Sequence, residues 1–454
     1  MVRRLVVVGG GISGLAAAWS AQQAAGRVPG GLEVVVLERA AAVGGKARSV
    51  RSGAWLVECG PSGFPGGCPE MQRLIAGAGM SGAMIPAAPA SARRFIFTRG
   101  RMREVKANPV ALVRSGILSA RGGARMLAEM FIGSRQGDAE ESVWEFACRR
   151  FGAEVAEQIV APLTLGVFAG DARRLSLSAA FPRMATLEHE HGSLIRAVIG
   201  GRGRMSPGAL TSFREGMQSL PQALASRGGF TVRCGAEARA LERRGERWAI
   251  AVAGDADSIV ADAVVFAAEP WATAELLRSC IPIAAAQLDA IPCPAVAVVA
   301  LGFGPDALAR VPRGFGVLVA RGEGFRMLGN LWEAHVYPGR SPDGHLLVRA
   351  IFGGAADPGV GSLGTAELAA LTRAEIARLY GITGEPVFEH VERVPKAIPQ
   401  YEIGHRDRVA AVERALAALP GVDITGFGLR GVAFADAAAD GVRTGERIIE
   451  QMHR

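Results

Sequence analysis

The hydrophobic pattern at the start of the chain predicts a strand–turn–helix–strand unit. Leu5–Val8 form an uninterrupted apolar run, which is typical of a strand buried on both faces of a parallel sheet. A glycine turn follows, and the residues from Ile12 onward predict a helix. A second apolar run ends at Glu38. This order of elements indicates an α/β fold with a parallel sheet.

The far end of the chain shows a related pattern. Val422–Thr425 predict a strand, the glycines that follow predict a loop, and the remaining residues predict a helix to the C-terminus. The N-terminus of such a helix favours negative charge, because its free amides and its dipole are positive there.

The segment Ser91–Val105 predicts an arginine-rich hairpin that turns at Arg99-Gly100. Alternation along its first strand places Arg93 and Arg94 on opposite faces. One of these arginines must therefore share a face with the apolar core. A guanidinium in that position needs an anionic partner if it is buried.

The first turn carries the chemistry of a dinucleotide site. Its glycines are spaced G-x-G-x-x-G, which permits a tight turn, close approach of a pyrophosphate and close helix–strand packing. Glu38 lies about where this fingerprint places the carboxylate that binds a ribose. The residues predicted to contact the nucleotide here are Gly9, Gly10, Gly11, Ile12, Ser13, Gly14, Glu38 and Arg39.

Composition narrows the class of protein. The chain has 454 residues, 49% of them hydrophobic and 21% charged, so it is long enough for two or three ordered domains. Its net charge of +8 is carried almost entirely by dispersed arginines, without a basic block or interleaved aromatic residues. We therefore expect no nucleic-acid partner.

The six cysteines are scattered, with no C-x-x-C pair and no Cys/His zinc spacing, so we expect no metal. We expect neither a signal peptide nor a membrane-spanning helix, because the apolar run near Leu5 is too short for the first and no run is long enough for the second. The scattered cysteines predict a cytoplasmic protein. It would be either soluble or bound peripherally to the inner face of the cytoplasmic membrane.

Three further segments resemble FAD enzymes of the amine-oxidase-like superfamily. "VGGKA" is similar to their second glycine motif, "VECGPSGF" to the segment beside the isoalloxazine ring, and the C-terminal glycine loop to their closing segment. The loop departs from the usual Ala-Gly-Asn, and it contains no cysteine for a covalent link. The resemblance implies non-covalent FAD, held additionally by Gly44, Gly45, Lys46, Gly60, Pro61, Ser62, Gly63, Ala238, Gly426, Phe427, Gly431, Val432 and Ala433.

Longer blocks are similar to the protoporphyrinogen/coproporphyrinogen III oxidase family. They begin "APLTLGVFAGDARRLSLSAAF", "GFGVLVA" and "VPKAIPQYEIGHRDRV", and they occur in order over essentially the whole chain. The resemblance implies a six-electron oxidation of protoporphyrinogen IX to protoporphyrin IX in haem synthesis, with molecular oxygen as acceptor and hydrogen peroxide as product. The flavin would carry the chemistry, so no protein side chain is expected to act as nucleophile, metal ligand or general base.

The same resemblance assigns the substrate contacts. Arg94 matches the arginine that binds a propionate, and Gly166 would offer its carbonyl to pyrrole N–H groups. Leu318 and Leu331 would enclose a pyrrole ring, and Ile351 stands where plant relatives carry an aromatic residue. The three apolar residues are equally compatible with ordinary core packing.

The implied architecture is a discontinuous Rossmann-like FAD-binding domain, a mixed-sheet substrate domain and a helical domain, in an amine-oxidase/PHBH-like topology. The FAD-binding domain would comprise residues 1–85, 205–275 and 405–454, the helical domain 86–204 and the substrate domain 276–404. Membrane contact through the helical domain, a homodimer and handover to a chelatase remain open.

Three alternatives compete with this hypothesis. Coproporphyrinogen III oxidation uses the same fold and chemistry on a substrate with four propionates. Amine oxidation usually needs an aromatic cage and a lysine near the flavin, and the three tyrosines offer little material for a cage. A flavin-free escort protein of similar fold would not need the intact glycine motifs.

Overall fold

The structure is a computed structural model. It describes residues 2–106, 108–135, 137, 139–201 and 208–453. Within these ranges the chain forms twenty strands and eighteen α-helices.

The strands are, in chain order, β1 Arg3–Val8, β2 Leu32–Glu38, β3 Ser49–Ser52, β4 Trp55–Glu58, β5 Phe64–Pro65, β6 Met84–Pro86, β7 Arg94–Thr98, β8 Arg101–Val105, β9 Leu210–Phe213, β10 Thr231–Cys234, β11 Ala238–Arg244, β12 Arg247–Val252, β13 Ile259–Ala261, β14 Ala263–Phe266, β15 Val296–Phe303, β16 Gly316–Val319, β17 Met327–Trp332, β18 Leu346–Gly353, β19 Phe388–Val394 and β20 Val422–Ile424.

The helices are α1 Ile12–Gln23, α2 Pro69–Gly77, α3 Pro109–Arg114, α4 Ala120–Leu127, α5 Val143–Phe151, α6 Ala153–Val155, α7 Ala161–Phe168, α8 Leu177–Ala180, α9 Pro182–His191, α10 Leu194–Ile199, α11 Ser219–Arg227, α12 Pro270–Leu277, α13 Pro282–Asp289, α14 Pro305–Leu308, α15 Glu333–Val336, α16 Thr365–Tyr380, α17 His405–Ala417 and α18 Phe434–His453. A π-helical turn, Ala156–Val160, leads directly into α7.

A five-stranded parallel sheet, in the order β10-β2-β1-β14-β20, forms the first layer. Helices α1 and α18 pack on one face, and α12, α13 and α17 contribute to the core on the other. Both faces are covered, which explains the continuous apolar runs of its central strands. The predicted first strand, first helix and second strand are confirmed, as are the C-terminal strand and helix.

A seven-stranded mixed sheet forms the second layer, in the order β19-β15-β18-β17-β16-β7-β8. Its only parallel pair in the described chain is β16 with β7. One face carries a hydrophobic core that includes residues of α16. The opposite face carries the residues predicted to contact substrate.

The predicted arginine-rich hairpin is confirmed as β7 and β8. Thr98 pairs with Arg101, so the turn comprises only Arg99 and Gly100. Both residues have positive φ, 53° and 69°, as a tight two-residue hairpin turn requires.

The helices α3–α10 lie between β8 and β9 in the sequence and build small cores of their own. None of the helices in the described ranges is long and apolar enough to cross a membrane. The parallel sheet, the mixed sheet and the helices together confirm the predicted α/β class. The exact domain ranges stay a prediction, and the boundary at 204/205 lies outside the described residues.

Candidate flavin and substrate site

The glycine turn between β1 and α1 leaves a helix N-terminus open. A Cβ atom on Gly14 would lie 2.0 Å from the carbonyl oxygen of Gly9, so this turn requires glycine. Gly11 is the N-cap of α1, and no side chain caps the helix or places a negative charge in its first turn. The positive end of α1 is therefore available to an anion such as a pyrophosphate.

The second glycine motif lies directly beside this turn. The Gly44 amide donates to the Gly10 carbonyl at 2.9 Å, and Gly44 forms an isolated bridge with Gly11. The sequence places these two motifs more than 30 residues apart, and the fold joins them into one backbone surface.

Glu38 shapes the same surface from the end of β2. Its carboxylate accepts hydrogen bonds from the Gly10 and Ala40 amides, both at 2.7 Å, and the residue is 8% exposed. The neighbouring Arg39 guanidinium lies 5.2 Å from the centre of the Trp271 ring. The acid thus stabilises the glycine turn by itself, and its contact with a ribose stays a prediction.

Lys46 is held inside the protein by three groups. Its ammonium pairs with Glu269 at 2.8 Å, donates to the Ala397 carbonyl and lies 4.0 Å from the centre of the Phe427 ring. Burial lowers the pKa of Lys46 from its ordinary value, and the Glu269 carboxylate opposes that shift. The predicted contact of Lys46 with the cofactor would therefore come from an ammonium already fixed in place.

The segment Gly60–Gly63 is fastened to the mixed sheet by Arg349 of β18. This guanidinium donates to the carbonyls of Glu58 and Gly60, at 3.1 and 2.8 Å, and to the Ser62 hydroxyl at 3.1 Å. Its Nε pairs with Glu333 at 2.7 Å, and both side chains are almost completely buried. A buried charge needs such partners, and here they join the segment after β4 to the mixed sheet.

A second buried pair lies behind that segment. Arg340 is 3.4 Å from Glu58 and donates to the Ser212 hydroxyl at 2.8 Å, and neither member of the pair is exposed by more than 1%. Burial raises the pKa of the Glu58 carboxyl above its ordinary value, with Arg340 opposing the shift.

The loop between β20 and α18 is held by Tyr401. The phenol oxygen accepts a hydrogen bond from the Gly431 amide at 2.9 Å and donates to the Phe427 carbonyl. Its ring stacks on His405, with centroids 4.0 Å apart, and His405 donates from Nε2 to the Leu429 carbonyl at 3.0 Å. Burial lowers the pKa of His405 to about 4, so the imidazole is neutral near pH 7.

Asp440 of α18 holds the start of the same loop. It accepts hydrogen bonds from the Thr425 hydroxyl at 2.8 Å and from the Gly426 amide at 3.2 Å, and it pairs with Arg430. The loop that contains Gly426, Phe427 and Gly431 is thus fixed at both ends.

The predicted substrate residues of the mixed sheet share one face. Leu318 pairs with Gly329, which pairs with Ile351, while Leu331 pairs with Arg349. Directly paired residues point to the same side of a sheet, so Leu318, Leu331 and Ile351 form one surface with Arg349. All three are only partly buried.

Helix α7 covers part of this face. A Cβ atom on Gly166 would lie 2.8 Å from Cδ2 of Leu318, so the glycine allows close approach of the helix to the sheet. Leu163 and Val167 occupy the same side of α7 and are 41% and 49% exposed. The helix ends at Ala169, a left-handed residue with φ of 49°, which is uncommon for alanine.

Arg94 begins β7 on the same face of the sheet, since it lies two residues from Ile96, which pairs with Leu318. Its guanidinium lies 5.2 Å from the centre of the Phe315 ring. No carboxylate of the described residues lies within 4.0 Å of it, whereas Arg93 pairs with Glu104 at 3.1 Å. Arg94 is also exposed. Its guanidinium is therefore available to an anionic ligand.

The remaining predicted contacts lie around these segments. Ser13 and Ser62 are buried, Gly45 follows the Gly11–Gly44 bridge, and Ala238 begins β11 half-buried. Ile12 opens α1, Pro61 lies in the segment that Arg349 holds, and Val432 and Ala433 precede α18.

Sequence reasoning missed Arg349, Glu333 and Tyr401. Arg349 interrupts the apolar run LLVRAIF, and a lone arginine in such a strand indicates a buried partner. Nothing in the sequence identifies Glu333 as that partner, because the pair depends on how α15 and β18 pack.

Comparison with known proteins agrees with this arrangement. The chain belongs to the family of flavin containing amine oxidoreductases, which matches residues 12–449. It is therefore a flavin-dependent oxidoreductase.

Within this family, the chain is similar to several porphyrinogen oxidases. The chain is 28% identical over 459 residues to a coproporphyrinogen III oxidase of Bacillus subtilis, covering 97% of this chain and 96% of the relative. It is 30% identical over 440 residues to a chloroplastic protoporphyrinogen oxidase of Oryza sativa subsp. japonica, covering 90% and 81%. A crystal structure from Exiguobacterium sp. 255-15, provisionally named a protoporphyrinogen oxidase, superposes with a TM-score of 0.86 at 23% identity over 99% of both chains.

Proposed function

We propose that this chain oxidises protoporphyrinogen IX to protoporphyrin IX, using FAD and molecular oxygen. The observation that carries the proposal is the shared face of Arg94, Leu318, Leu331 and Ile351, covered by Gly166 and tied to the Gly60–Gly63 segment by Arg349. The two relatives named above are oxidases of this substrate class.

The described residues fit a dinucleotide flavin. The uncapped N-terminus of α1, the adjoining Gly44-Gly45 pair and Glu38 offer places for a pyrophosphate and a ribose. The loop held by Tyr401 would contact the other end of the cofactor. No cysteine lies between Val422 and Ala433, so we propose that FAD is bound non-covalently.

The protein's part in the reaction is to bind and orient a large apolar macrocycle. Arg94 would bind a propionate, the leucines and Ile351 would contact the ring, and the Gly166 carbonyl would accept from pyrrole N–H groups. Bound flavin supplies two-electron oxidation, and removing six electrons from one substrate consumes three O₂ and releases three H₂O₂.

Coproporphyrinogen III is the alternative substrate, because the Bacillus subtilis relative of that name is matched over nearly its full length. Steady-state rates on both porphyrinogens, followed by porphyrin fluorescence, test the choice. A higher kcat/KM for protoporphyrinogen IX supports the proposal. A higher kcat/KM for coproporphyrinogen III would show that this porphyrinogen is the substrate instead. Turnover of amines alone would contradict both porphyrinogen assignments.

The cofactor proposal has its own test. Acid precipitation of the purified protein should release all flavin into the supernatant with the mass of FAD. Flavin that stays with the protein, or FMN in the supernatant, contradicts it. Membrane contact, a homodimer and transfer of product to a chelatase remain predictions.

A further inference from the structure

Three metal-binding side chains converge where the segment after the β3–β4 hairpin meets the edge strand β19 of the mixed sheet. Cys59 directly follows β4, while His390 and Glu392 lie two residues apart on β19. The ligand atoms of all three lie within 4.8 Å of one another. This cluster takes no part in the oxidation proposed above.

The contacts within the cluster are short and involve the atoms that would bind a metal. The Cys59 sulfur lies 3.6 Å from Nε2 of His390, and the same nitrogen lies 3.7 Å from Oε2 of Glu392. Ligand atoms of a tetrahedral zinc ion are separated by about 3.3–3.7 Å, given bonds of about 2.0–2.3 Å. Two of the three ligand–ligand distances therefore match those around one zinc ion, and the third, from Cys59 to Glu392, is at most 4.8 Å.

From this geometry we propose a site for Zn²⁺ formed by Cys59, His390 and Glu392. Sulfur, imidazole and carboxylate together are a donor set that zinc accepts, and three protein ligands leave a fourth position for water. Calcium and magnesium are excluded, because they take oxygen ligands.

The surroundings provide a second layer of contacts and an entry path. Arg48 donates to Oε2 of Glu392 at 2.9 Å, and such a hydrogen bond orients a ligating carboxylate. Cys59 is buried, whereas the side chains of His390 and Glu392 are 20% and 18% exposed, so an ion can enter from their side.

Bound zinc would link two regions that the chain separates by 331 residues. Cys59 precedes the Gly60–Gly63 segment, and β19 is an edge strand of the mixed sheet. The ion would thus stabilise the contact between the segment after β4 and the mixed sheet, and its loss would lower the melting temperature without removing the flavin.

The test is a calorimetric titration of Zn²⁺ into tag-free, chelator-treated, flavin-containing protein near neutral pH. We expect one equivalent to bind, and Cys59→Ser and His390→Gln each to weaken binding on the order of 10-fold or more. Titrations in two buffers of different ionisation enthalpy should show that a thiol proton is released in the wild type and not in Cys59→Ser.

Cys234→Ser is the matched control, because this cysteine is exposed and lies outside the cluster. It should bind Zn²⁺ as the wild type does. Unchanged flavin absorbance in every variant shows that the fold is retained, and His390→Gln serves if Cys59→Ser loses its flavin. The proposal is overturned if the wild type does not bind Zn²⁺ saturably, or if Cys59→Ser and His390→Gln both bind it with wild-type affinity. Neither result bears on porphyrinogen oxidation.

Discussion

The phenol of Tyr401 bridges the Phe427 carbonyl and the Gly431 amide, and so holds both sides of the loop that precedes α18. The residue is 1% exposed and lies 26 residues before the first of its partners. This hydroxyl therefore acts together with Asp440 and His405 to fix the backbone that would face the flavin.

Tyr401→Phe should retain FAD and change its properties. Each lost hydrogen bond leaves a polar backbone group unsatisfied, at a cost of about 1–3 kcal/mol, and the loop should loosen. We expect a shifted flavin reduction potential and a kcat lowered on the order of 10-fold, measured by dye-linked reduction and steady-state kinetics.

Tyr380→Phe is the control for this change. Its buried hydroxyl also donates one hydrogen bond and accepts one, to Asn330 at 2.8 Å and from Trp332 at 2.9 Å, on the opposite face of the mixed sheet. It should lower stability by a similar amount and leave the potential unchanged. Equal potentials in both variants and the wild type would contradict the role of Tyr401.

Arg94→Ala should weaken substrate binding while FAD content stays the same. Hydrogen bonds to charged groups contribute about 1.5–3 kcal/mol, so KM should rise roughly 10- to 150-fold. Arg99→Ala is the control, because Arg99 lies at the turn and pairs with Glu154. Exposed pairs of this kind contribute little, so its KM should not change. A wild-type KM in Arg94→Ala would contradict the proposed contact between Arg94 and a propionate.

Gly166→Ala should improve the helix and impair the enzyme. Alanine in a helix is more favourable than glycine by about 0.5–1 kcal/mol, so α7 should not be destabilised. The new Cβ atom would meet Leu318, displacing its side chain and narrowing the proposed ring site.

Kinetics of single and double variants test this reasoning. We expect kcat/KM to fall in Gly166→Ala and to recover in part when Leu318→Val is added, since the contact involves a flexible side chain. Strictly additive losses would show that the two residues do not meet.

Stability should depend on pH through His405. Its pKa is about 4 in the folded protein and 6.5 ordinarily, so below about pH 6.5 the unfolded chain binds a proton that the folded chain does not. Stability is therefore lost as the pH falls from about 7 to 5, by roughly 2 kcal/mol from this residue. Urea unfolding should show this loss reduced in His405→Gln, whose amide can still donate to the Leu429 carbonyl. If the free energy of unfolding falls with pH equally in the wild type and in His405→Gln, the role of His405 is contradicted.

Much of the fold follows from local pattern. The run Leu5–Val8, the glycine turn and the hairpin turn at Arg99-Gly100 each depend on neighbouring residues, so sequence alone predicts them. The family resemblance supplied the substrate residues, and pairing of the strands explains why Leu318 and Ile351 share a face.

The long-range contacts could not be predicted in this way. Arg349 with Gly60 and Cys59 with His390 join residues 289 and 331 positions apart. Their meeting depends on how the segment after the β3–β4 hairpin packs against the mixed sheet, which no local periodicity encodes. Zinc spacing in the sequence is likewise a local signal, so it could not indicate a cluster whose members lie after β4 and on β19.

Anaerobic mixing of the oxidised, flavin-containing protein with protoporphyrinogen IX shows whether this substrate reduces the flavin. We expect the flavin absorbance to bleach as porphyrin fluorescence appears, and oxygen to restore the absorbance with release of hydrogen peroxide. Flavin that remains oxidised in the presence of both protoporphyrinogen IX and coproporphyrinogen III would contradict this expectation.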